Sequence, residues 1–325
     1  MSVELKITDK NGLTLETKGK YIEEDIAITL DSSLIPQGTL QVTENGEHDV
    51  TNYEKVNVNV GSGSGESAMK QYLDFKKSAN NLFKNYTGES VALNYDDTEN
   101  VTSMNYMFNW CQSLTTIPLL NTSKVTTMQN MFSYSTALIV IPQLDTSSVT
   151  DMSYMFTSCS NLTTIPQLDT SKVTTMQQMF HGCGNLISVP QLNTSSVTNM
   201  YSMFYDCKTL TTIPQLDTSK ITTMQNMFSC CYLLTSIPRL DVSNVTNMSS
   251  AFYACRSLKT LEMYGMKVSF DISASTQFET DDLVLILNNL ATITETQTLK
   301  MGSTNLAKLT DEQKAIATNK GWTLA

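Results

Sequence analysis

Met-Phe pairs fall at Met107-Phe108, Met131-Phe132, Met155-Phe156, Met179-Phe180, Met203-Phe204 and Met227-Phe228, with Ala251-Phe252 as a worn seventh copy. The spacing is a constant 24 residues, without insertion or deletion. A fixed period with one apolar pattern per copy predicts stacked coils, because a propeller blade needs about 40 residues for its four strands. A single coil of this size buries too little apolar surface to stand alone, so each copy needs neighbours and the array needs caps.

Within one copy the apolar positions are Cys111, Leu114, Ile117, Leu120, Val125, Met128, Met131 and Phe132. Ser113–Leu120 reads SLTTIPLL, is rich in β-branched residues, and predicts a short strand paired in parallel with its copy one coil away, at about 4.8 Å. Asn121-Thr-Ser predicts a turn and Lys124–Thr127 a second extended piece, while the three- and four-residue spacing from Met128 to Phe132 predicts a helical or irregular return.

The flanks carry signals of their own. Ala68–Tyr86, with Met69, Tyr72, Phe75, Leu82 and Phe83 at helix-like spacing, predicts a helical N-terminal cap. Downstream, Thr280 is the expected N-cap of an apolar helix. Thr310 with Gln313 forms a capping-box pattern for a second, and Gly321 ends that helix before a final Trp-Thr-Leu-Ala strand. Upstream, two segments each carry an Asn-Gly turn (Asn11-Gly12, Asn45-Gly46), a tyrosine (Tyr21, Tyr53) and a closing alternating strand (Ile26 and Ile28; Val56, Val58 and Val60), which predicts hairpins. The expected organisation is a small β arm over 1–60, a Gly/Ser linker over 61–67, a helical cap over 68–96, seven repeats over 97–262, and an α/β cap over 263–325.

The formal net charge is −10, and residues 1–60 hold 11 acidic against 5 basic side chains. From Asp97 to Glu262 there are 9 acids and 7 bases, so the array is close to neutral. Neither part offers the basic stripe that a phosphate backbone needs, so nucleic acid is not an expected partner. No run of about 18 apolar residues occurs, so no membrane span is expected, and the start MSVELKITDKNG does not read as a secretory signal. Seven cysteines, an odd number, fit a reducing compartment better than a disulfide framework.

At DVSNVTNMSSAFYAC, Asp241–Cys255, the chain resembles the BspA-like leucine-rich-repeat family, whose members repeat this aspartate-turn, valine-threonine, methionine-phenylalanine and cysteine pattern. The resemblance covers about residues 95–262. It implies a right-handed leucine-rich-repeat solenoid of 24-residue coils used for attachment and binding without catalysis. The chain departs from the pattern at Ser135, where the cysteine is missing, and at Glu262, where the proline is lost. Leu40–Val60, Ile7–Leu30 and Ser303–Leu324 are similar to small modules of tail and fibre proteins of bacteriophages and prophages of Gram-positive gut bacteria.

Several columns could carry chemistry. Cys111, Cys159, Cys183, Cys207, Cys231 and Cys255 align as a ladder that reads as small buried hydrophobes rather than a metal chain, with Cys230 as the reachable thiol. His48 and His181 are isolated and read as solvated side chains, because a catalytic base needs an oriented partner and a nucleophile. Asn121, Asp145, Asp169, Asn193, Asp217 and Asp241 could suggest a calcium ladder but fit Asx turns better, since asparagine alternates with aspartate and Thr-Ser follows. No catalytic residue, metal or cofactor is expected.

A candidate ligand surface remains: Thr115, Thr116, Thr163, Thr164, Thr211 and Thr212 with Gln143, Gln167, Gln191 and Gln215, a neutral face of donors and acceptors. Beside it stand aromatic residues where copies disagree, Trp110, Tyr134, Tyr154, Tyr201 and Tyr205. With the resemblances, these features predict a phage or prophage virion protein, a tail-associated fibre or receptor-binding protein assembled in the host cytoplasm. Residues 1–60 would hold other virion proteins and the solenoid a host-surface glycan or protein, in a chain that could trimerise. The alternatives are a bacterial cell-surface adhesin of the same repeat family and a non-binding structural or decoration protein of the virion.

Overall fold

The computed structural model describes strands at 2–9, 14–20, 38–42 and 55–58, and residues 77–91 and 93–325. The arm forms a four-stranded sheet, β1 (Ser2–Asp9), β2 (Thr14–Lys20), β3 (Gly38–Val42) and β4 (Lys55–Val58), in the order β2-β1-β3-β4. β1 is antiparallel to both β2 and β3. β3 and β4 are parallel, which corrects the hairpin expected around Asn45-Gly46. Residues 43–54 separate them, a length of about a dozen that a parallel crossover requires. The turn at Asn11-Gly12, Tyr21, Ile26, Ile28, His48, Tyr53, Val60, the Gly/Ser linker and the helical expectation over 68–76 lie outside the described residues.

The array is a solenoid whose coils repeat every 24 residues, and its main ladder lies where the sequence suggested only a short extended piece and a return. Bridges run in parallel from Ser103 to Thr127, Asp151, Thr175 and Asn199, and from Thr223 to Asn247. After these bridges the chain makes overlapping turns, with two residues at positive φ four positions apart, such as Tyr106 (58°) and Trp110 (61°), or Asn130 (55°) and Tyr134 (63°), and only one of these positions in the array is a glycine, Gly182. Alternate N–H groups point along the axis: those of Met104, Tyr106, Phe108 and Trp110 donate to the carbonyls of Thr127, Gln129, Met131 and Ser133. Of the N–H groups between them, those of Met107 and Asn109 close turns on their own coil, to Met104 and Tyr106, and that of Asn105 donates to the Asn80 side chain. Every N–H of this stretch is therefore used without a helix or a regular strand.

Ser113–Leu120 is not the parallel strand that its β-branched residues predict. Its copies are tied by one long backbone bond per coil, from Ile139 to Thr115 (3.2 Å) and from Thr163 to Ile139 (3.5 Å). The reason is Pro118, Pro142, Pro166, Pro190, Pro214 and Pro238, which remove a donor from every coil. A regular pair forms only where one partner lacks the proline: β5 (Ser236–Asp241) pairs in parallel with β6 (Thr260–Tyr264), in which Glu262 takes the proline's place.

The core is built of columns. Phe108, Phe132, Phe156, Phe180, Phe204, Phe228 and Phe252 are fully buried, and successive rings lie parallel with centroids 5.5–6.0 Å apart. Phe83 continues the stack at 5.4 Å from Phe108. This corrects the N-terminal cap: residues 77–86 form no helix but an extra coil segment, Ser78–Tyr86, in the same turns. Ser78 bridges Ser103, Lys77, Asn81 and Asn85 have positive φ, and Ala79, Asn81, Phe83 and Asn85 donate to the next coil. Leu82 and Phe83 thus take the slots of Met107 and Phe108, one residue out of the 24-residue register.

The C-terminal cap holds β7 (Phe270–Asp271), α1 (Thr280–Asn289), β8 (Gln297–Lys300), α2 (Gly302–Leu306), α3 (Asp311–Thr318) and β9 (Trp322–Leu324), with a parallel sheet in the order β7-β8-β9. The N-cap of α1 is Glu279 rather than Thr280, because the Glu279 N–H finds the Asp282 carboxylate at 3.2 Å and the helix begins at Thr280. Thr310 and Gln313 bond reciprocally at 3.2 and 2.9 Å, as a capping box does. Gly321, at φ +90°, turns the chain into β9. Lys320 Nζ donates to the carbonyls of Leu287, Asn288 and Leu290 at 3.2, 2.6 and 2.9 Å, closing the end of α1.

Candidate binding face of the solenoid

The cysteine ladder serves the frame. Each thiol donates to the carbonyl of the phenylalanine one coil back, as Cys159 does to Phe132 and Cys183 to Phe156, both at 3.0 Å. Burial pushes the thiols of Cys111, Cys183 and Cys255 up to about 12, and those of Cys159, Cys207 and Cys231 well above the ordinary range. They remain protonated donors. Ser135 does the same work in its coil, with Oγ 2.5 Å from the Phe108 carbonyl. Cys230 is half-buried and off the column.

The Asx column is a set of turns. Ser147, Ser171, Ser195, Ser219 and Ser243 each donate a backbone N–H to the aspartate or asparagine two residues before, at 2.9–3.1 Å. Hydrogen bonds from Ser147 hold the Asp145 carboxyl below its usual range, and Ser171 and Ser219 do so for Asp169 and Asp217. Among the described residues no group of three His, Cys, Asp or Glu side chains gathers to hold a metal ion. His181 is half-buried and stacked on Tyr205 at 4.5 Å, and burial lowers its pKa against the opposing effect of Asp206.

The candidate ligand residues divide into two groups with different environments. Thr115, Thr116, Thr164, Thr211 and Thr212 are exposed and Thr163 is half-buried, all on the extended segment of their coils. Gln143, Gln167, Gln191 and Gln215 expose part of each side chain, but their amide N–H groups are engaged. Gln167 Nε2 donates to the Leu168 carbonyl at 3.1 Å and to the Gln191 carbonyl of the next coil at 2.7 Å. Gln143 and Gln191 repeat this forward reach to Gln167 and Gln215, and Gln215 ends it on Arg239. The glutamines therefore present acceptor oxygens to an incoming partner rather than a mixed donor and acceptor face.

The aromatic residues separate further. Trp110 and Tyr134 stack at 4.5 Å and stay 44% and 38% exposed. Tyr154 is half-buried with its hydroxyl 2.7 Å from Gln177 Nε2, Tyr205 is occupied by His181, and Tyr201 is half-buried.

Four residues of the face escaped the sequence reading. Leu119, Ile139, Val140 and Ile187 are between 49% and 53% exposed. By the 24-residue register Ile139 and Ile187 stand in the column of Thr115 and Thr163, Val140 in that of Thr116, and Leu119 in that of Gln143. Aligning the copies in columns would have revealed them as aliphatic side chains in polar slots. The face is thus a strip of hydroxyls and carbonyl oxygens interrupted by exposed aliphatic groups, with no ionisable side chain in these columns until Arg239 and Lys259.

These features define a repeat solenoid whose outward extended segments form a nearly neutral face. The chain belongs to the family described as "Mycoplasma protein of unknown function, DUF285", which matches residues 77–186, 135–234 and 184–281. A leucine-rich-repeat protein of T. pallidum is similar at 16% identity and a TM-score of 0.27, over 73% of this chain and 86% of its own. A leucine-rich cell-surface protein of Faecalibacterium prausnitzii A2-165 is similar at 18% identity and a TM-score of 0.31, over 81% and 94%. The solenoid itself is defined by the bridges and hydrogen bonds that join successive coils. No curated protein matches the chain.

Proposed function

We propose that the protein is a non-catalytic attachment protein whose solenoid docks on a glycan or protein of a cell surface. The observation that carries this reading is the exposed aliphatic set Leu119, Ile139, Val140 and Ile187 within a neutral polar strip, on a frame whose cysteine, glutamine and Asx columns are spent on its own hydrogen bonds. Exposed apolar groups on a rigid repeat face supply contact area at little ordering cost, and repeat proteins bind through such extended faces. Low charge suits a neutral ligand.

The finer reading is a tail-associated fibre or receptor-binding protein of a phage or prophage, with residues 1–60 as the anchor to other virion proteins. Its support is the resemblance of Ile7–Leu30, Leu40–Val60 and Ser303–Leu324 to phage tail modules. The test is saturable binding of the purified full chain to whole cells and isolated walls of Gram-positive hosts, together with co-sedimentation on phage particles. Binding to walls supports attachment, and particle association supports the phage reading. Particle association without any cell binding replaces attachment with a structural virion role.

A further inference from the structure

The turn ladder has an end. In the coils from Ala79 to Cys230 the alternate N–H groups donate forward to the next coil, four per coil except in the coil of Met200, where three do so. The corresponding groups of the last coil are those of Met248, Ser250, Phe252 and Ala254. Among the described residues none of the four meets a carbonyl, although the intervening N–H groups of Ala251, Tyr253 and Cys255 close their turns as in the earlier coils, where Cys111 alone donates instead to the Ser135 hydroxyl. Where the next turn would lie there is instead a cleft of about 440 Å³, lined by Met248, Ser250, Phe252 and Tyr253 from the coil and by Asp271 and Lys300 from the cap. A cleft of this size falls in the range of ligand sites, which runs from about 300 to 1,000 Å³.

We propose that this cleft binds a peptide segment whose main-chain carbonyls complete the N–H ladder of the last coil. The donors sit at alternate residues, and in the array they are met by carbonyls at alternate residues, so a polypeptide matches them in register. Addition of a chain to an open backbone edge is an established mode of peptide recognition, with hydrogen bonds giving affinity and flanking pockets giving specificity. Tyr253, 64% exposed at the rim, offers a ring to a side chain of the ligand. Asp271 and Lys300 line the cleft together, which suits a neutral backbone better than a free anion. The proposal does not depend on the attachment reading.

The probe is an acetylated, amidated peptide of the chain's own phrase, TTMQQMFHG from Thr174 to Gly182, whose carbonyls at Thr175, Gln177, Met179 and His181 accept this ladder inside the array. Titrated into the isotope-labelled full chain, it shifts saturably the amide resonances of Met248, Ser250 and Phe252, the three ladder residues that line the cleft. Ala274→Trp, at an exposed position on the cleft wall, weakens this binding at least tenfold with an unchanged Tm. Should that variant unfold, Ser249→Trp obstructs the cleft from the coil side. Without ligand, the four ladder amides of the last coil exchange at least tenfold faster than those of Met224, Asn226, Phe228 and Cys230. Three results overturn the proposal: no shift at these amides, binding indifferent to both obstructions, or equal shifts with acetate or inorganic phosphate, which would make the cleft a simple anion site.

Discussion

Each coil contains two regions that respond differently to repetition. In the turn segment, such as Met152–Cys159, neighbouring coils satisfy the backbone, the phenylalanine rings stack and the thiol binds the coil behind it. In the extended segment, such as Asn161–Leu168, proline removes a donor, neighbours share one long backbone bond, and the outward side chains differ from coil to coil. The buried positions of the turn segment, where a coil depends on its neighbour, repeat, while outward positions vary in both segments, as Trp110, Tyr134, Ser158 and Gly182 do in the turn segment. The turn segment is thus the frame and the extended segment is the surface available for recognition.

The comparison breaks most visibly at the frame. Phe156→Ala removes one ring from the middle of the stack and should cost about 3–5 kcal/mol. In urea unfolding followed by circular dichroism, a loss below about 1 kcal/mol would deny the stack its role. A second test is alkaline. The column thiols are raised above 9.0 in the fold, Cys111, Cys183 and Cys255 to about 12, so they bind protons that the unfolded chain has already released. Their stabilisation is complete below pH 9 and is lost between pH 9 and 12, at about 1.4 kcal/mol per pH unit for each thiol. At pH 8 an alkylating reagent should modify Cys230 and spare the other six until the protein unfolds.

A finer contrast separates packing from hydrogen bonding. Cys183→Ala loses the thiol's bond to the Phe156 carbonyl, which still accepts the Cys159 N–H at 3.0 Å, and should cost about 0.5–1.5 kcal/mol. Cys183→Ser should cost less, since Ser135 already fills that role in its own coil. In the extended segment Gln167→Ala forfeits two amide bonds of a partly exposed side chain and should cost about 1 kcal/mol in chemical unfolding. Smallest is Asp169→Asn. Its carboxylate is held below the usual range by Ser171, so the stability it lends is present above the carboxylate range and fades as pH falls through it. The variant should flatten that acid dependence while leaving stability at pH 7 almost unchanged, since asparagine makes the same turn at Asn193.

The sequence disclosed the period, the core columns and the Asx turns because each depends on local spacing. It misplaced the main ladder, since β-branched Thr115, Thr116 and Ile117 suggest a strand, while the effect of a proline repeated in register appears only when coils stack. The coil at Ser78–Tyr86 was hidden by a one-residue slip and by Leu82 in the place of methionine. The exposed Ile139, Val140 and Ile187 were passed over because they stand in columns that Thr115 and Thr116 mark as polar, and the common pattern does not show where single copies depart from it.

The most direct test of the account is to change the varied face and leave the frame intact. Full chain carrying Ile139→Asn, Val140→Ser and Ile187→Asn should keep its Tm within about 2 °C, because surface changes stay within about 0.5 kcal/mol. It should lose at least tenfold in affinity for the cells that the unaltered protein binds. Undiminished binding by a folded triple variant would contradict the claim that the extended segments form the recognition surface.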